Sequence, residues 1–266
     1  MNVNYLPVPY DQTQRDLDRY YAYGNDLKTR YQHRQRINNI ENIINKLGIC
    51  NTDRTLDVGC GRGFYLTLLA QKSQNVIGVE FSREGIDGCR AIVIEKGLKD
   101  RIQALRGDAL NLPFQENTFD FILCTEVLEH LADPLKGALE IHRVLKLGGK
   151  ALISMPNLFS IFWLFNRAIA EASGLTAGST EIDPHMKFPF FKMESMLRNA
   201  GFDVKAVRGT YMIPSDLLFR VFPNSRNAAR LVHALGWIEW NLNIKPLNAF
   251  FFVSAIKKTK KGGEVQ

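Results

Sequence analysis

The chain has 266 residues, of which 45% are hydrophobic and 23% charged, and its formal net charge is +7. These proportions are ordinary for a globular protein that buries a sizeable core, and they exclude a largely disordered chain. The basic excess lies after residue 157, where 14 basic residues face 8 acidic ones.

The N-terminal residues 1–26 are polar and tyrosine-rich, without the apolar segment of a secretory signal. The most apolar run, 158–170, is too short to span a bilayer. The cysteines lie outside any C-x-x-C spacing, which favours reduced thiols: Cys50, Cys60, Cys89 and Cys124. We therefore expect a soluble, cytoplasmic protein.

The first regular element is an amphipathic helix over 27–47, whose apolar residues recur at helical spacing until Gly48. A short apolar run then breaks into alternating glycines at Gly59, Gly61 and Gly63 before a second helical pattern. The glycines permit positive φ and a close backbone approach, and a helix opening at about Arg62 presents unpaired N–H groups. This strand, turn and helix predict a ligand site.

The residues around the turn indicate which ligand belongs there. The spacing is G-x-G-x-G instead of the dinucleotide pattern G-x-G-x-x-G, and Asp57 stands two residues before the first glycine. A carboxylate at this point repels a pyrophosphate and suits a ligand with positive charge. S-adenosylmethionine (SAM), which carries an ammonium and a sulfonium, meets that requirement.

Strands and helices alternate through the rest of the first half. We predict helices over 64–71, 83–97 and 135–145, with Ser82 capping the second, and strands over 75–80, 102–106, 119–125 and 151–155. Together with the strand before the turn, five strands that alternate with helices indicate a parallel sheet. Beyond 157 we expect a helix over 158–172, a loop over 173–184, a helix over 190–200, and strands over 204–212 and 249–256.

The run 56–63 resembles the first motif of the class I SAM-dependent methyltransferases, including those of ubiquinone biosynthesis. The resemblance implies an α/β fold: a Rossmann-like, doubly wound, seven-stranded and mostly parallel sheet with an antiparallel C-terminal strand pair. It implies an N-terminal arm and helix (1–50) that forms a lid, a SAM-binding core (51–157), and substrate-side cap insertions plus closing strands (158–266). An insertion over 214–247 supplies further apolar residues.

Cofactor contacts follow from the motifs. Glu80 ends the second strand, where a carboxylate accepts hydrogen bonds from ribose hydroxyls, and Asp108 resembles the acid that receives the adenine amino group. A solvent-facing Glu80 and an Asx-turn Asp108 are the alternatives. The expected cofactor-binding residues are Asp57, Gly59, Cys60, Gly61, Gly63, Glu80, Phe81, Asp108, Ala109, Cys124 and Thr125.

Four residues are candidates for catalysis. Glu126, Glu129 and His130 share one face if they are helical, so they could bind a hydroxyl or a divalent cation such as Mg²⁺. A Glu-x-x-Glu-His run also follows the fourth strand in the ubiquinone-biosynthesis O-methyltransferases; the alternative is that Glu129 and His130 only orient the chain and cap a helix. His185 follows the long loop, as a histidine near the substrate does in many members; a structural hydrogen bond is its alternative.

These features predict methyl transfer from SAM to a small, apolar or lipid-like acceptor, with oxygen favoured. The rivals are a non-catalytic SAM-binding protein and an NAD-dependent oxidoreductase; Asp57 disfavours the oxidoreductase.

Nucleic acid is not an expected partner, since no RNA-binding motif or aromatic-rich basic stripe is present. Peripheral membrane contact through Arg220, Arg226 and Arg230 is the alternative role of the insertion. The basic tail 257–261 is interpreted as a solvated end, with attraction to anionic lipid or nucleic acid as its alternative.

Overall fold

The computed structural model describes residues 27–157, 190–210 and 250–258. The chain divides into two compact units, one of residues 1–43, 156–190 and 208–251, the other of residues 44–155, 191–207 and 252–266. Several predictions fall outside the described residues: the arm 1–26, the segments 158–172, 173–184 and 214–247, His185, and the basic residues Arg220, Arg226 and Arg230.

The described part of the first unit contains most of one long helix, α1 (Leu27–Leu47), with the predicted bounds. The other elements, in chain order, are β1 (Arg54–Val58), α2 (Phe64–Leu69), β2 (Asn75–Glu80), α3 (Arg83–Glu95), β3 (Ile102–Arg106), β4 (Phe119–Thr125), a 3-10 helix (Leu128–His130), α4 (Pro134–Val144), β5 (Leu145–Pro156), α5 (Phe190–Asn199), β6 (Phe202–Thr210) and β7 (Phe250–Lys257). None of the described helices has an apolar stretch that could cross a bilayer.

The seven strands form one sheet in the order β3-β2-β1-β4-β5-β7-β6. The pairings β1 with β2, β1 with β4, β2 with β3 and β4 with β5 are parallel, and the C-terminal strand pair is antiparallel. The predicted fold class is confirmed. The order reverses between β1 and β4, and ligands of open α/β sheets bind at such a reversal, outside the carboxyl ends of the strands.

The centre of the sheet is buried on both faces, as is typical of parallel strands covered by helices. Leu56 on β1, Ile122 on β4 and Ile153 on β5 have no exposed surface. Fully burying such a side chain stabilises a protein by about 1.5–3 kcal/mol. This packed centre fixes the strand ends that carry the candidate site.

One predicted turn is part of a strand. The sequence predicts a helix up to 145 and a strand only from 151, which leaves a turn between them, but β5 already begins at Leu145. The pairing moves from Phe119 with Leu145 to Phe121 with Lys150, so the extra residues form a bulge in β5. Gly148, with φ of 77°, supplies a conformation that such a bulge requires.

The charged neighbours of Lys257 suggested that it belongs to a solvated tail, and the structure contradicts this. It ends β7 and is 8% exposed. Its Nζ donates hydrogen bonds to Asn117 Oδ1 at 2.9 Å, to the Arg143 carbonyl at 3.2 Å and to the Leu145 carbonyl at 2.9 Å. These acceptors compensate the cost of burying the ammonium, and they tie the last strand to the end of α4.

Candidate functional site

The glycine-rich turn has the backbone conformation that its sequence predicts. It leaves β1 after Val58, and the φ angles of Gly59, Gly61 and Gly63 are 72°, 50° and 83°. Side chains rarely adopt these values. The turn lies at the carboxyl end of β1, between β2 and β4, where the strand order reverses.

Unpaired N–H groups were expected at a helix opening at about Arg62, but the Gly63 N–H is paired, as are three N–H groups earlier in the turn. Gly59 and Cys60 both donate to the Val79 carbonyl, at 2.8 and 3.0 Å, and Gly63 donates to the Cys60 carbonyl at 2.8 Å. Gly61 donates to Glu80 Oε2 at 2.9 Å. The helix also begins at Phe64 instead of near Arg62, because Gly63 in the left-handed conformation is its N-cap.

The three glycines face different surroundings. A Cβ on Gly59 would lie 2.2 Å from Val127 Cγ2, and one on Gly63 would lie 2.7 Å from Cys89 Sγ. A Cβ on Gly61 would meet no atom of the described residues within 4 Å. Two glycines therefore accommodate side chains of the protein, and Gly61 borders space that the described residues leave open and that a ligand could occupy.

Asp57 is a buried carboxylate for which the described structure supplies no hydrogen-bond donor. Its exposure is 0%, and neither carboxylate oxygen has a hydrogen-bond partner among the residues that the structure describes. Burial, followed by the nearby Cys89 and Glu80, raises the pKa of Asp57 well above its ordinary value. A cationic ligand would relieve this cost, so the site fits the charge of SAM.

Glu80 lies where the motif predicts, at the end of β2, and it is 6% exposed. Its Oε1 accepts from the Ser82 N–H at 2.8 Å, while its Oε2 accepts from the Gly61 N–H. A Cβ on Gly85 would lie 2.9 Å from Glu80 Cγ, so this carboxylate packs closely against the start of α3. Ser82 caps that helix as predicted, accepting from the Gly85 N–H at 3.1 Å.

Glu80 therefore joins the turn to α3. A carboxylate has about four lone-pair sites, of which these two backbone donors use two.

Asp108 forms the Asx turn that was its alternative interpretation. Its Oδ1 accepts from the Leu110 N–H at 2.8 Å, and it forms an isolated bridge with Asn111. The turn is compatible with an adenine contact, because Oδ2 has its own lone pairs. Nearby, Ala109 is buried, whereas Phe81 after β2 is 48% exposed and offers an aromatic surface beside Glu80.

Cys124 and Thr125 end β4 next to β1, as predicted, and Cys124 is in register with Val58. Cys124 is completely buried, and burial, followed by Glu129 and Asp57, raises its pKa. Its thiol is therefore a packing group. Thr125 is half-buried at the strand end.

The run 126–130 does not form the shared helical face on which the three candidates were expected. Glu126 has φ of 55°, and only the three residues 128–130 form a 3-10 helix. Glu129 is 2% exposed, and its Oε1 lies 4.0 Å from His130 Nε2. A carboxylate and an imidazole thus come together, while Glu126 lies outside the helix and donates its N–H to the Ser154 carbonyl at 3.1 Å.

A divalent cation has no evident set of ligands in this run. Among the residues that the structure describes, no three His, Cys, Asp or Glu side chains form a metal-binding group. The left-handed turn at Glu126 separates it from the helical positions, which removes the geometry on which the Mg²⁺ alternative depended.

Two residues of the site were missed by the sequence interpretation. Val127 fills the space over Gly59, and Cys89 lies against Gly63. Cys89 could have been found, because it shares the buried face of α3 with Ile86 and Val93. Val127 leaves no such signal, since its contact joins segments far apart in the sequence.

Comparison with known proteins agrees with this arrangement. Residues 56–153 match the model of a methyltransferase domain. The chain is 33% identical over 108 residues to a demethylmenaquinone methyltransferase of Lactiplantibacillus plantarum, covering 40% of this chain and 46% of that protein. It is 30% identical over 160 residues to a ubiquinone biosynthesis O-methyltransferase of Pseudomonas aeruginosa, covering 59% of this chain and 67% of that protein.

The first of these relatives is thus matched over about half of its own length. A solved structure of a SAM-dependent methyltransferase from Aquifex aeolicus superposes with a TM-score of 0.55 at 20% identity, covering 82% of this chain and 88% of that one. At this identity the likeness shows a shared fold.

The strand order, the acid before a G-x-G-x-G turn and the relative matched over two thirds of its length lead to one family. The chain belongs to the class I SAM-dependent methyltransferases.

Proposed function

We propose that this protein transfers a methyl group from SAM to a small, apolar acceptor, with a hydroxyl oxygen as the favoured nucleophile. The observation that supports the proposal is which hydrogen-bonding groups the turn offers to a ligand: acceptors and not donors. Four of its N–H groups bind protein acceptors, while the buried Asp57 oxygens have no donor in the described structure. A pyrophosphate requires donors, whereas an ammonium or a sulfonium requires acceptors.

The residues of the turn would hold SAM in three ways. The Asp57 carboxylate would stabilise the positive charge, Glu80 would accept hydrogen bonds from ribose hydroxyls, and Asp108 would receive the adenine amino group. The open space beside Gly61 lets the ligand approach the backbone. SAM supplies a methyl group on a sulfonium, which the acceptor atom displaces in line.

His130 and Glu129 are the groups that would prepare a hydroxyl acceptor. The His130 side chain is 25% exposed, and that of Glu129 is 1% exposed. Glu129 Oε1, at 4.0 Å from His130 Nε2, could orient the imidazole that takes the acceptor proton. Glu126 and His185 remain further candidates on the acceptor side.

The relatives support the acceptor class. Two of the matched proteins are named for demethylmenaquinone and for ubiquinone biosynthesis, and both names contain a quinone. We infer a hydroxylated aromatic or lipid-like acceptor for this chain.

The test is transfer of isotope-labelled methyl from SAM to a panel of hydroxylated quinols and phenols, detected by mass spectrometry. We expect labelled product with the wild-type chain. His130→Gln should lower kcat by about 10²–10⁴-fold, the usual contribution of a general base, and leave the affinity for SAM unchanged. His142→Gln is the matched control, because His142 packs edge-to-face on Phe202 away from the turn.

Binding of SAM without transfer to any acceptor would favour the non-catalytic rival. Equal kcat for the wild type and His130→Gln would remove His130 from the proposal and leave the methyltransferase assignment standing.

A further inference from the structure

The segment 107–118 joins β3 to β4 and carries Asp108, and it forms neither a helix nor a strand. It begins at Gly107, whose missing side chain allows a close approach of two neighbours. A Cβ on Gly107 would lie 2.9 Å from Val79 Cγ1 and 3.5 Å from Pro113 Cδ. The residue before Asp108 therefore packs against β2 and against Pro113 of its own segment.

An ion pair on α4 binds the same segment on both sides of Pro113. Arg143 donates to Glu140 twice, from Nε to Oε1 at 2.7 Å and from Nη2 to Oε2 at 2.8 Å. Glu140 Oε2 accepts from the Leu112 N–H at 2.9 Å. Arg143 donates to the Leu112 carbonyl at 3.0 Å and to the Phe114 carbonyl at 2.7 Å. The pair thus binds both backbone groups of Leu112 and the carbonyl of Phe114.

This pair is suited to hold a backbone in one place. Two parallel hydrogen bonds between a guanidinium and a carboxylate restrict both side chains. The side chains of Arg143 and Glu140 are 36% and 17% exposed, so solvent screens the pair only in part. The hydrogen bond from Arg143 is the main cause that lowers the pKa of Glu140, so the carboxylate is ionised at neutral pH.

We propose that Glu140 and Arg143 are positioning residues that determine how well the site selects the adenine of SAM. The contacts lead from the pair through Pro113 to Gly107, which precedes Asp108 in the chain. Asp108 Oδ1 already accepts a backbone N–H, so recognition of the adenine amino group depends on the position of Oδ2. The inference rests on the proposed function, in which Asp108 receives that amino group.

Loss of the pair would displace Asp108 without removing it. An N–H···O hydrogen bond needs a distance of about 2.7–3.2 Å and a nearly linear angle, so a small displacement weakens it. A hydrogen bond to a charged group contributes enough for about a tenfold change in affinity. A ligand with purine in place of adenine has no amino group, so its affinity should change little.

The experiment measures two affinities of the full chain by calorimetry: for the cofactor product S-adenosylhomocysteine and for its analogue with purine in place of adenine. We expect the wild type to prefer S-adenosylhomocysteine and this preference to fall about tenfold in Arg143→Met. The matched control is Arg198→Met, because Arg198 also pairs with a glutamate of its own helix, Glu194, at 2.8 Å; it should keep the preference. A variant that only loses stability would lower both affinities together.

Asp108→Asn tests whether the pair acts through Asp108. Asparagine keeps an oxygen for the Asx turn but places donors where Oδ2 accepts. The preference for S-adenosylhomocysteine should fall in this variant, and adding Arg143→Met should not lower it further. If Arg143→Met does not fold, Glu140→Gln replaces it, because glutamine keeps an acceptor for Leu112 and loses the charge that binds Arg143. We expect a smaller loss in the same direction.

Hydrogen exchange of the ligand-free protein tests the positioning without any ligand. The amides of Leu110 and Leu112 should exchange faster in Arg143→Met than in the wild type or in Arg198→Met. An unchanged preference in a folded Arg143→Met protein, or equal further loss in the double variant, would overturn the proposal. If the wild type does not bind S-adenosylhomocysteine, the proposed function fails, and the exchange rates still decide whether the pair holds the segment.

Discussion

Asp57 combines complete burial with two carboxylate oxygens that receive no hydrogen bond within the described structure. Such a group is costly when ionised, and the cost is acceptable only if a ligand compensates it. The proposed binding of a cationic cofactor would explain a residue that opposes stability in the ligand-free chain, a pattern that is common at binding sites.

Replacing Asp57 with Asn should stabilise the ligand-free protein at alkaline pH. The pKa of Asp57 is raised in the folded state by burial, Cys89 and Glu80, so its favourable contribution is complete below its unfolded pKa and is lost as pH rises through the folded pKa. Asn does not ionise, so the variant should melt above the wild type at pH 8 and lose this advantage toward acid. Thermal melts across pH measure the difference, at about 2–4 °C for each kcal/mol.

The control is Asp100→Asn, which removes an exposed carboxylate in a turn and should leave the pH profile unchanged. Parallel profiles for Asp57→Asn and the wild type would show that Asp57 carries no electrostatic cost.

At the scale of the elements, the turn is held from both sides by neighbouring segments. Val127, which follows β4, occupies the space over Gly59, while Cys89 of α3 occupies the space over Gly63. The backbone of β2 accepts the N–H groups of Gly59 and Cys60. The missing side chains of a glycine-rich motif can thus leave room for other side chains of the protein as well as for a ligand.

Gly59→Ala and Gly61→Ala should separate stability from binding. Both alanines require positive φ, which costs about 1–2 kcal/mol. At Gly59 the methyl would also collide with Val127, and overpacking adds about 1–3 kcal/mol. At Gly61 it would enter open space, so this variant should fold better than Gly59→Ala and still lose SAM affinity.

Urea denaturation and calorimetry of the two variants supply both quantities. Equal losses of stability would contradict the packing that the structure shows around Gly59. Normal SAM binding by Gly61→Ala would show that the open space is not used by the cofactor.

Lys257 performs a structural role at the end of β7. Its three hydrogen bonds reach a side chain and two carbonyls, and burial is the main cause that lowers its pKa. Lys257→Met should cost about 1–3 kcal/mol, because buried acceptors would lose their donor. Lys258→Met, at an exposed neighbour, should cost less than about 0.5 kcal/mol; equal losses in urea denaturation would refute this role.

At the scale of the whole molecule, the sequence predicted what depends on local patterns. The alternation of strands and helices, the bounds of α1, the Ser82 cap and the acid at the end of β2 follow from periodicity and residue type within short windows. The family resemblance supplied the closing strand pair, and the sheet order confirmed it.

What the sequence could not predict depends on contacts between distant segments. The Val79 carbonyl that occupies two N–H groups of the turn, and the left-handed Glu126 that prevents a helical face, leave no local signal. Lys257 was misjudged because a charged run at a chain end is typical of solvated surface, whereas the backbone carbonyls around it make burial favourable. The role of such residues can be assigned only when the three-dimensional structure is known.

The most direct test of the account is a calorimetric titration of the wild-type protein with SAM and, separately, with NAD⁺, repeated with Asp57→Ala. The account predicts SAM binding with a Kd of about 1–100 μM, no detectable binding of NAD⁺, and loss of SAM binding in Asp57→Ala while Asp203→Asn, at an exposed ion pair with Lys205, binds normally. Binding of NAD⁺, or unchanged SAM affinity in a folded Asp57→Ala protein, would contradict the claim that a buried carboxylate selects a cationic cofactor at this turn.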